Sequence, residues 1–152
     1  MIKPILLVED NPKDLELTLL ALEKSNLANE VVTMRDGAEA LDYLFRRGPY
    51  SERAVGNPAV VLLDLKLPKV DGIQVLRQIK ADPALQAIPV VMLTTSREDR
   101  DLMGSYQLGV NAYVVKPVAF KDFIQAIQEL GMFWAVLNEP PIGSLKPGQR
   151  TE

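Results

Sequence analysis

The chain has 152 residues with 17 basic and 20 acidic side chains, so it holds one domain with a sizeable core and has no overall attraction for nucleic acid. It contains neither cysteine nor histidine, which excludes disulfides, thiolate or imidazole metal sites and Ser-His-Asp triads. The apolar runs are far shorter than the roughly 18 residues of a membrane span. Glu9 and Asp10 break the N-terminal run, unlike in a signal peptide. We expect a cytoplasmic protein that binds neither nucleic acid nor membranes.

Five short apolar runs, rich in β-branched residues, predict strands buried on both faces of a parallel sheet. The runs are Ile5 to Val8, Val31 to Met34, Ala59 to Leu63, Pro89 to Leu93 and Ala112 to Val115. A helical segment follows each run. These segments are Pro12 to Ser25, Ala38 to Arg47, the residues between Gly72 and Asp82, Arg97 to Leu108, and Phe120 to Leu137. The alternation predicts an α/β fold, a (βα)5 doubly wound sheet of order 2-1-3-4-5.

Local signals predict where two of the helices begin and end. Asn11 is positioned to cap the first helix, with Pro12 at its first position. Asp36 and Glu39 have the spacing of a capping box for the second helix, and Gly48 is placed to stop it.

Three segments fit the repeat poorly. The loop from Arg47 to Pro58 is long, and we expect its arginines, with the neighbouring Arg46, to form a solvated surface. Gly104 and Ser105 interrupt the fourth predicted helix, which is therefore marginal. Residues 139–152 are rich in proline and glycine, which predicts an extended or disordered tail after a domain at 1–138.

The carboxyl ends of the central strands carry the chemistry, because ligands of such sheets bind at that edge. The residues delivered there are Glu9 and Asp10 after the first strand, Asp64 after the third, Thr94, Thr95 and Ser96 after the fourth, and Lys116 after the fifth. Three converging carboxylates repel one another, and oxygen-only ligands favour Mg²⁺ or Mn²⁺. Such a metal, with Lys116 and Thr94 opposite, is suited to hold a phosphoryl group. Without histidine or cysteine, Asp64 is the plausible covalent nucleophile.

These residues resemble the receiver domain of two-component response regulators, which has a CheY-like fold. The resemblance rests on Glu9 and Asp10, the segment from Asp64 to Gly72, Thr94 with Thr95, and the segment from Tyr113 to Pro117, and it extends from about Ile5 to Leu137. It implies that Asp64 accepts a phosphoryl group from a phosphohistidine on a sensor histidine kinase. It also implies that the backbone carbonyl of Lys66 joins the three carboxylates as a Mg²⁺ ligand. The chain would then be a signalling protein, with only self-catalysed phosphoryl transfer and hydrolysis.

The resemblance further implies a switch and a set of modulating residues. Thr94 would move toward the phosphoryl group and Tyr113 would turn inward, which changes the surface of the fourth helix, fifth strand and fifth helix. Lys116 would contact the phosphoryl group, and its bond to Pro117 would be cis. The side chains expected to tune the site are Lys66, Thr95, Ser96 and Pro117.

The long loop, Glu9 in place of an aspartate and the extended last helix resemble the stand-alone receivers that serve bacterial and cyanobacterial phytochromes. Phe133, Trp134 and Leu137 lie beyond the usual end of that helix. We expect them to form a homodimer or partner interface, with packing onto the chain's own surface as the alternative.

Three other functions compete with a phosphoacceptor. A phosphorylation-independent scaffold would have the same fold. An aspartate-nucleophile phosphatase would need an acid two residues after Asp64, where the chain has Lys66. A nucleotide or flavin binder would need a glycine-rich loop after the first strand, where Asn11, Pro12 and Lys13 stand.

Overall fold

The computed structural model describes residues 3–25, 27–95 and 109–129. Five parallel strands form one sheet in the predicted order, β2-β1-β3-β4-β5. The strands are β1 Ile5–Val8, β2 Val31–Met34, β3 Val60–Asp64, β4 Val90–Thr94 and β5 Ala112–Val115. The helices are α1 Pro12–Lys24, α2 Gly37–Phe45, α3 Gly72–Ala81 and a helix at Phe120–Glu129, which we name the last helix, and Gly48–Tyr50 forms one 3₁₀ turn.

The sheet separates two apolar cores. Alternate residues of the central strands point to opposite faces, since successive side chains of a strand alternate. One face packs against α2 and α3 through Leu41, Leu76 and Ile79. The other face packs against α1 and the last helix through Leu22 and Phe123. The predicted three-layer α/β architecture is therefore confirmed.

The predicted strands agree with the observed ones to within one residue. β3 and β4 each begin and end one residue later than expected, so Asp64 and Thr94 are the last residues of their strands and not the first residues of loops. Both strands are buried along their whole length, because α-helices cover both faces of the sheet.

Two predicted helix starts are confirmed in detail. The side chain of Asn11 accepts hydrogen bonds from the backbone N–H groups of Lys13 and Asp14, at 2.9 and 3.0 Å. Asp36 accepts the N–H of Glu39 at 2.7 Å. In a capping box Glu39 would accept the N–H of the N-cap, Asp36. Here Glu39 accepts the N–H of the preceding residue, Arg35, at 3.3 Å.

The predicted stop of α2 at Gly48 is wrong. The helix ends at Phe45, and Arg46 takes the left-handed conformation at its C-terminus with φ 54°. The Arg46 guanidinium donates two hydrogen bonds to the carbonyl of Arg53, at 3.0 and 3.2 Å. The long loop therefore returns to the end of α2.

The prediction that all three arginines form a solvated surface is also wrong, because Arg53 has a structural role. Its guanidinium lies 4.2 Å from the ring centre of Tyr43 and donates to the carbonyls of Tyr43 and Leu44, at 2.6 and 3.4 Å. It also donates to two carbonyls of its own loop, those of Ala54 and Gly56. Arg53 thus satisfies backbone acceptors that the end of a helix leaves without intrahelical partners.

Several predicted features lie outside the described residues. They are the fourth helix at Arg97 to Leu108, the end of the fifth helix with Phe133, Trp134 and Leu137, and the tail at 139–152. In the part of the chain that the structure describes, no helix is long and apolar enough to cross a bilayer.

Candidate phosphoacceptor site

Strand register brings the acidic residues together at the carboxyl edge of the sheet. Val8 pairs with Leu63 across β1 and β3, so Glu9 and Asp64, the next residues, are neighbours. Thr94 pairs with Val115 across β4 and β5, which places Lys116 beside the end of β4. The backbone N–H of Lys116 donates to the carbonyl of Thr94 at 2.7 Å. The predicted convergence of the ends of β1, β3, β4 and β5 is observed.

The three predicted metal-binding carboxylates form one cluster. Each of Glu9, Asp10 and Asp64 offers an oxygen, and these oxygens lie within 4.8 Å of one another. Glu9 is fully buried, Asp64 is 5% exposed, and Asp10 lies at the solvent side. A compact set of oxygen ligands with one open side fits a hard divalent cation that retains water. The residues present therefore fit the metal that the sequence predicts.

Lys116 is the centre of the site. Its ammonium group lies 3.0 Å from Glu9 Oε1, 3.0 Å from Asp14 Oδ2 and 3.2 Å from Asp64 Oδ1. Only 7% of the lysine side chain is exposed. Burial opposes its charge, but the hydrogen bonds to Asp14 and Glu9 and the charges of Asp64 and Glu9 outweigh burial and raise the pKa of Lys116. The lysine therefore remains an ammonium ion at any physiological pH.

The surroundings of Glu9 disfavour its charged form, because it is a carboxylate buried beside another carboxylate. Burial raises its pKa to about 7, together with its hydrogen bond to Asp64 and the charge of Asp64, while Lys116 lowers it. Its second oxygen accepts the N–H of Asn11 at 3.3 Å. The metal-free site thus holds more negative charge than its own residues neutralise, and a bound cation would relieve this.

The segment after Asp64 is fixed by close backbone packing. A Cβ atom on Gly72 would clash with the carbonyl oxygen of Asp64, so only glycine lets α3 begin there. Asp71 caps the helix by accepting the N–H of Gln74 at 2.9 Å. The turn carries Lys66, whose side chain is exposed. These contacts hold the backbone next to the predicted phosphoacceptor.

The remaining predicted site residues differ in their position. Thr94 is buried at the end of β4, and Thr95 next to it is exposed. Tyr113 is half-buried on β5, against the core of the α2 and α3 face. The bond from Lys116 to Pro117 is cis, as predicted. Ser96 lies outside the described residues.

Asp14 belongs to the site, although the sequence analysis did not select it. It lies in the first turn of α1, three residues after the N-cap Asn11, and its carboxylate contacts a lysine 102 residues away. An acidic residue in a first helical turn is ordinary, since it complements the helix dipole. The feature of the sequence that could have pointed to Asp14 is its position four residues after Asp10, in the first turn of α1.

Comparisons with known proteins agree with this geometry. The family model described as "Response regulator receiver domain" matches residues 5–128. The probable methanogenesis regulatory protein FilR2 of Methanothrix harundinacea is 45% identical over 137 residues, which cover 90% of this chain and 86% of that protein. Response regulator Rcp1 of Synechocystis is 42% identical over 132 residues, which cover 87% and 88%.

Solved structures give the same result. The bacteriophytochrome response regulator RtBRR matches with a TM-score of 0.87 and 66% identity, over 95% of this chain and 87% of that one. The phosphorylated cyanobacterial phytochrome response regulator RcpA matches at 0.71 and 45%, over 88% and 94%. The Mn²⁺-bound form of Rcp1 matches at 0.70 and 41%, over 91% and 99%. This chain belongs to the response regulator receiver domain family, whose members are phosphoacceptors of two-component signalling.

Proposed function

We propose that Asp64 accepts a phosphoryl group from a phosphohistidine on a sensor histidine kinase, with Mg²⁺ bound by Glu9, Asp10, Asp64 and the backbone carbonyl of Lys66. The observation that carries this proposal is a cluster of three carboxylates, with oxygens within 4.8 Å of one another, two of which contact a buried ammonium group. The protein would act as a signalling module and not as an enzyme with a separate substrate. Mn²⁺ suits the same oxygens.

The chemistry assigns one role to each side chain. An oxygen of Asp64 would attack phosphorus as the P–N bond of the phosphohistidine breaks, and the imidazole would leave with the bonding electron pair. The Lys116 ammonium, 3.2 Å from Asp64 Oδ1, is placed to donate a hydrogen bond to a phosphoryl oxygen. The bound cation would neutralise further charge on the phosphoryl group. The Thr94 hydroxyl would donate a hydrogen bond to a phosphoryl oxygen.

The names of the relatives support a phytochrome as the kinase. RtBRR, AtBRR and RcpA are described as phytochrome or bacteriophytochrome response regulators, at 66, 68 and 45% identity. These identities extend over 95, 91 and 88% of this chain. We therefore propose a light-sensing histidine kinase as the phosphoryl donor of this receiver.

The output would be a change of protein surface. Thr94 and Tyr113 lie on neighbouring strands, β4 and β5, where Thr94 pairs with Val115 and Tyr113 pairs with Met92. We propose that their rearrangement alters the surface of the fourth predicted helix, β5 and the last helix, and that this surface, with Phe133, Trp134 and Leu137, mediates a homodimer. Sedimentation of the chain truncated before Met132 tests the dimer, since unchanged self-association would contradict it.

The phosphoacceptor is tested by intact mass after incubation with Mg²⁺ and acetyl phosphate. The native chain should gain one phosphoryl group, whereas Asp64→Asn should gain none, because an amide cannot form the acyl phosphate. Asp42→Asn, which changes a surface carboxylate in the same way, is the matched control and should behave like the native chain. A native chain that gains no phosphoryl group from acetyl phosphate or from its kinase would be a phosphorylation-independent scaffold.

A further inference from the structure

Lys116 already has carboxylate partners in the structure. Of the three N–H donors of an ammonium group, two bond to Glu9 and Asp14, at 3.0 Å each, and Asp64 lies 3.2 Å away as an ion-pair partner. A phosphoryl oxygen on Asp64 that accepts a hydrogen bond from Lys116 therefore shares the ammonium group with Glu9 and Asp14.

The three partners differ in what else they can bind. Glu9 and Asp64 belong to the cluster whose oxygens could hold a metal, and Asp14 does not. Asp64 also becomes the acyl phosphate itself, which removes its carboxylate charge. When metal and phosphoryl group are in place, Asp14 is the one original partner that still has a full charge and no new ligand.

The negative charge of Asp14 also repels a phosphoryl group at this site. With Asp14 included, the site holds four carboxylates, three of which contact the ammonium group of Lys116. A phosphoryl group adds negative charge to the same site, and Asp14 repels it while competing for the same donor. The side chain of Asp14 is 29% exposed, so water and salt reduce this repulsion without abolishing it.

We propose that Asp14 is a positioning residue that restrains Lys116 and thereby limits the stability of the phosphorylated state. The ion pair holds the ammonium toward α1, and a phosphoryl group on Asp64 competes with Asp14 for that ammonium group. Asp14 then sets how much phosphoryl donor is needed to populate the active form. This inference rests on the phosphoacceptor function proposed above and goes beyond it by naming a residue that opposes phosphorylation.

Beryllofluoride, a non-covalent mimic of a phosphoryl group, tests the proposal in the full chain with saturating Mg²⁺. Asp14→Asn should tighten beryllofluoride binding about fivefold, the scale of one partly screened charge interaction. Asp14→Glu keeps the charge and should stay near the native affinity. Glu16→Gln removes the same charge from an exposed position on the same helix and should change nothing.

Mg²⁺ titration separates this role from a structural one. Loss of a negative charge should leave Mg²⁺ affinity unchanged or weaken it, so Asp14→Asn should tighten beryllofluoride binding without tightening Mg²⁺ binding. A general loss of structure would weaken both. If the native chain binds beryllofluoride and Asp14→Asn binds it equally well or more weakly, the inference is overturned. Failure of the native chain itself to bind it would remove the phosphoacceptor function and this inference with it.

Discussion

At the scale of single residues, Glu9 shows how burial changes the pKa of a candidate metal ligand. The sequence marks it only as an acid after a strand, yet the structure buries it completely beside Asp64 and next to Lys116. Its pKa of about 7 means that a proton and a metal ion compete for the same oxygens near neutral pH.

Mg²⁺ affinity should therefore depend on pH in a defined window. Below pH 7 Glu9 holds a proton that the metal must displace, so affinity should rise as pH rises and should level off above about 7. Calorimetric titration with Mg²⁺ between pH 5.5 and 8.5 would measure this. Glu9→Gln should bind more weakly and lose the dependence in this window. A native affinity that is flat across the window would contradict the raised pKa.

The free energy of unfolding of the metal-free protein should also depend on the protonation of Glu9, but it should fall as pH rises. A folded-state pKa raised from 4.5 to about 7 means that the native state binds more protons than the unfolded state between these values. The contribution of Glu9 to the free energy of unfolding is thus full below pH 4.5 and is lost as pH rises toward 7.

At the scale of elements, α2 and the loop behind it form one unit through Arg53. The arginine stacks on Tyr43 and bonds to the carbonyls at the end of the helix. Tyr50 adds to this unit, with its ring 5.4 Å from that of Tyr43 and its hydroxyl 3.1 Å from Glu39. The sequence presents Arg53 as a loop arginine, because the contacts that decide its role are made by backbone oxygens of another element.

Arg53→Ala should lower the free energy of unfolding by about 1 to 3 kcal/mol, because two helix-end carbonyls and two loop carbonyls lose the guanidinium donor and Tyr43 loses its stacked cation. Arg47→Ala is the control in the same loop. Its side chain is 53% exposed in an ion pair with Asp42, so it should cost less than about 1 kcal/mol. Urea unfolding of both variants gives the comparison, and equal costs would show that Arg53 is as dispensable as a surface arginine.

At the scale of the whole molecule, Lys116 joins elements that are far apart in the chain. Its ammonium group, carried just past β5, contacts residues at the end of β1, the end of β3 and the start of α1. Removal of a buried charge leaves its partners uncompensated, which costs more than the ion pair itself contributes. The lysine is therefore a structural residue of the metal-free protein as well as a phosphoryl ligand.

Lys116→Met should destabilise the metal-free protein by about 3 to 5 kcal/mol, because the buried side chains of Glu9 and Asp64 lose their cationic partner. Mg²⁺ should restore part of this loss, since it supplies the missing positive charge. Urea unfolding with and without Mg²⁺ measures both effects, and Lys13→Met, at an exposed position, is the control. A Lys116→Met protein as stable as Lys13→Met would remove the structural role.

The sequence by itself determined the order of the strands and of the described helices, the strand positions to within a residue, the first turns of α1 and α2, and the acids at the sheet edge. These features follow from local periodicity, capping chemistry and the rule that parallel strands end at one edge. Only the tertiary structure decided that Asp14 pairs with Lys116, that Arg53 closes α2, and that Glu9 is buried enough to hold a proton near pH 7. Each of these depends on distance and burial between residues remote in the chain, and neither quantity is encoded in the spacing of neighbouring residues.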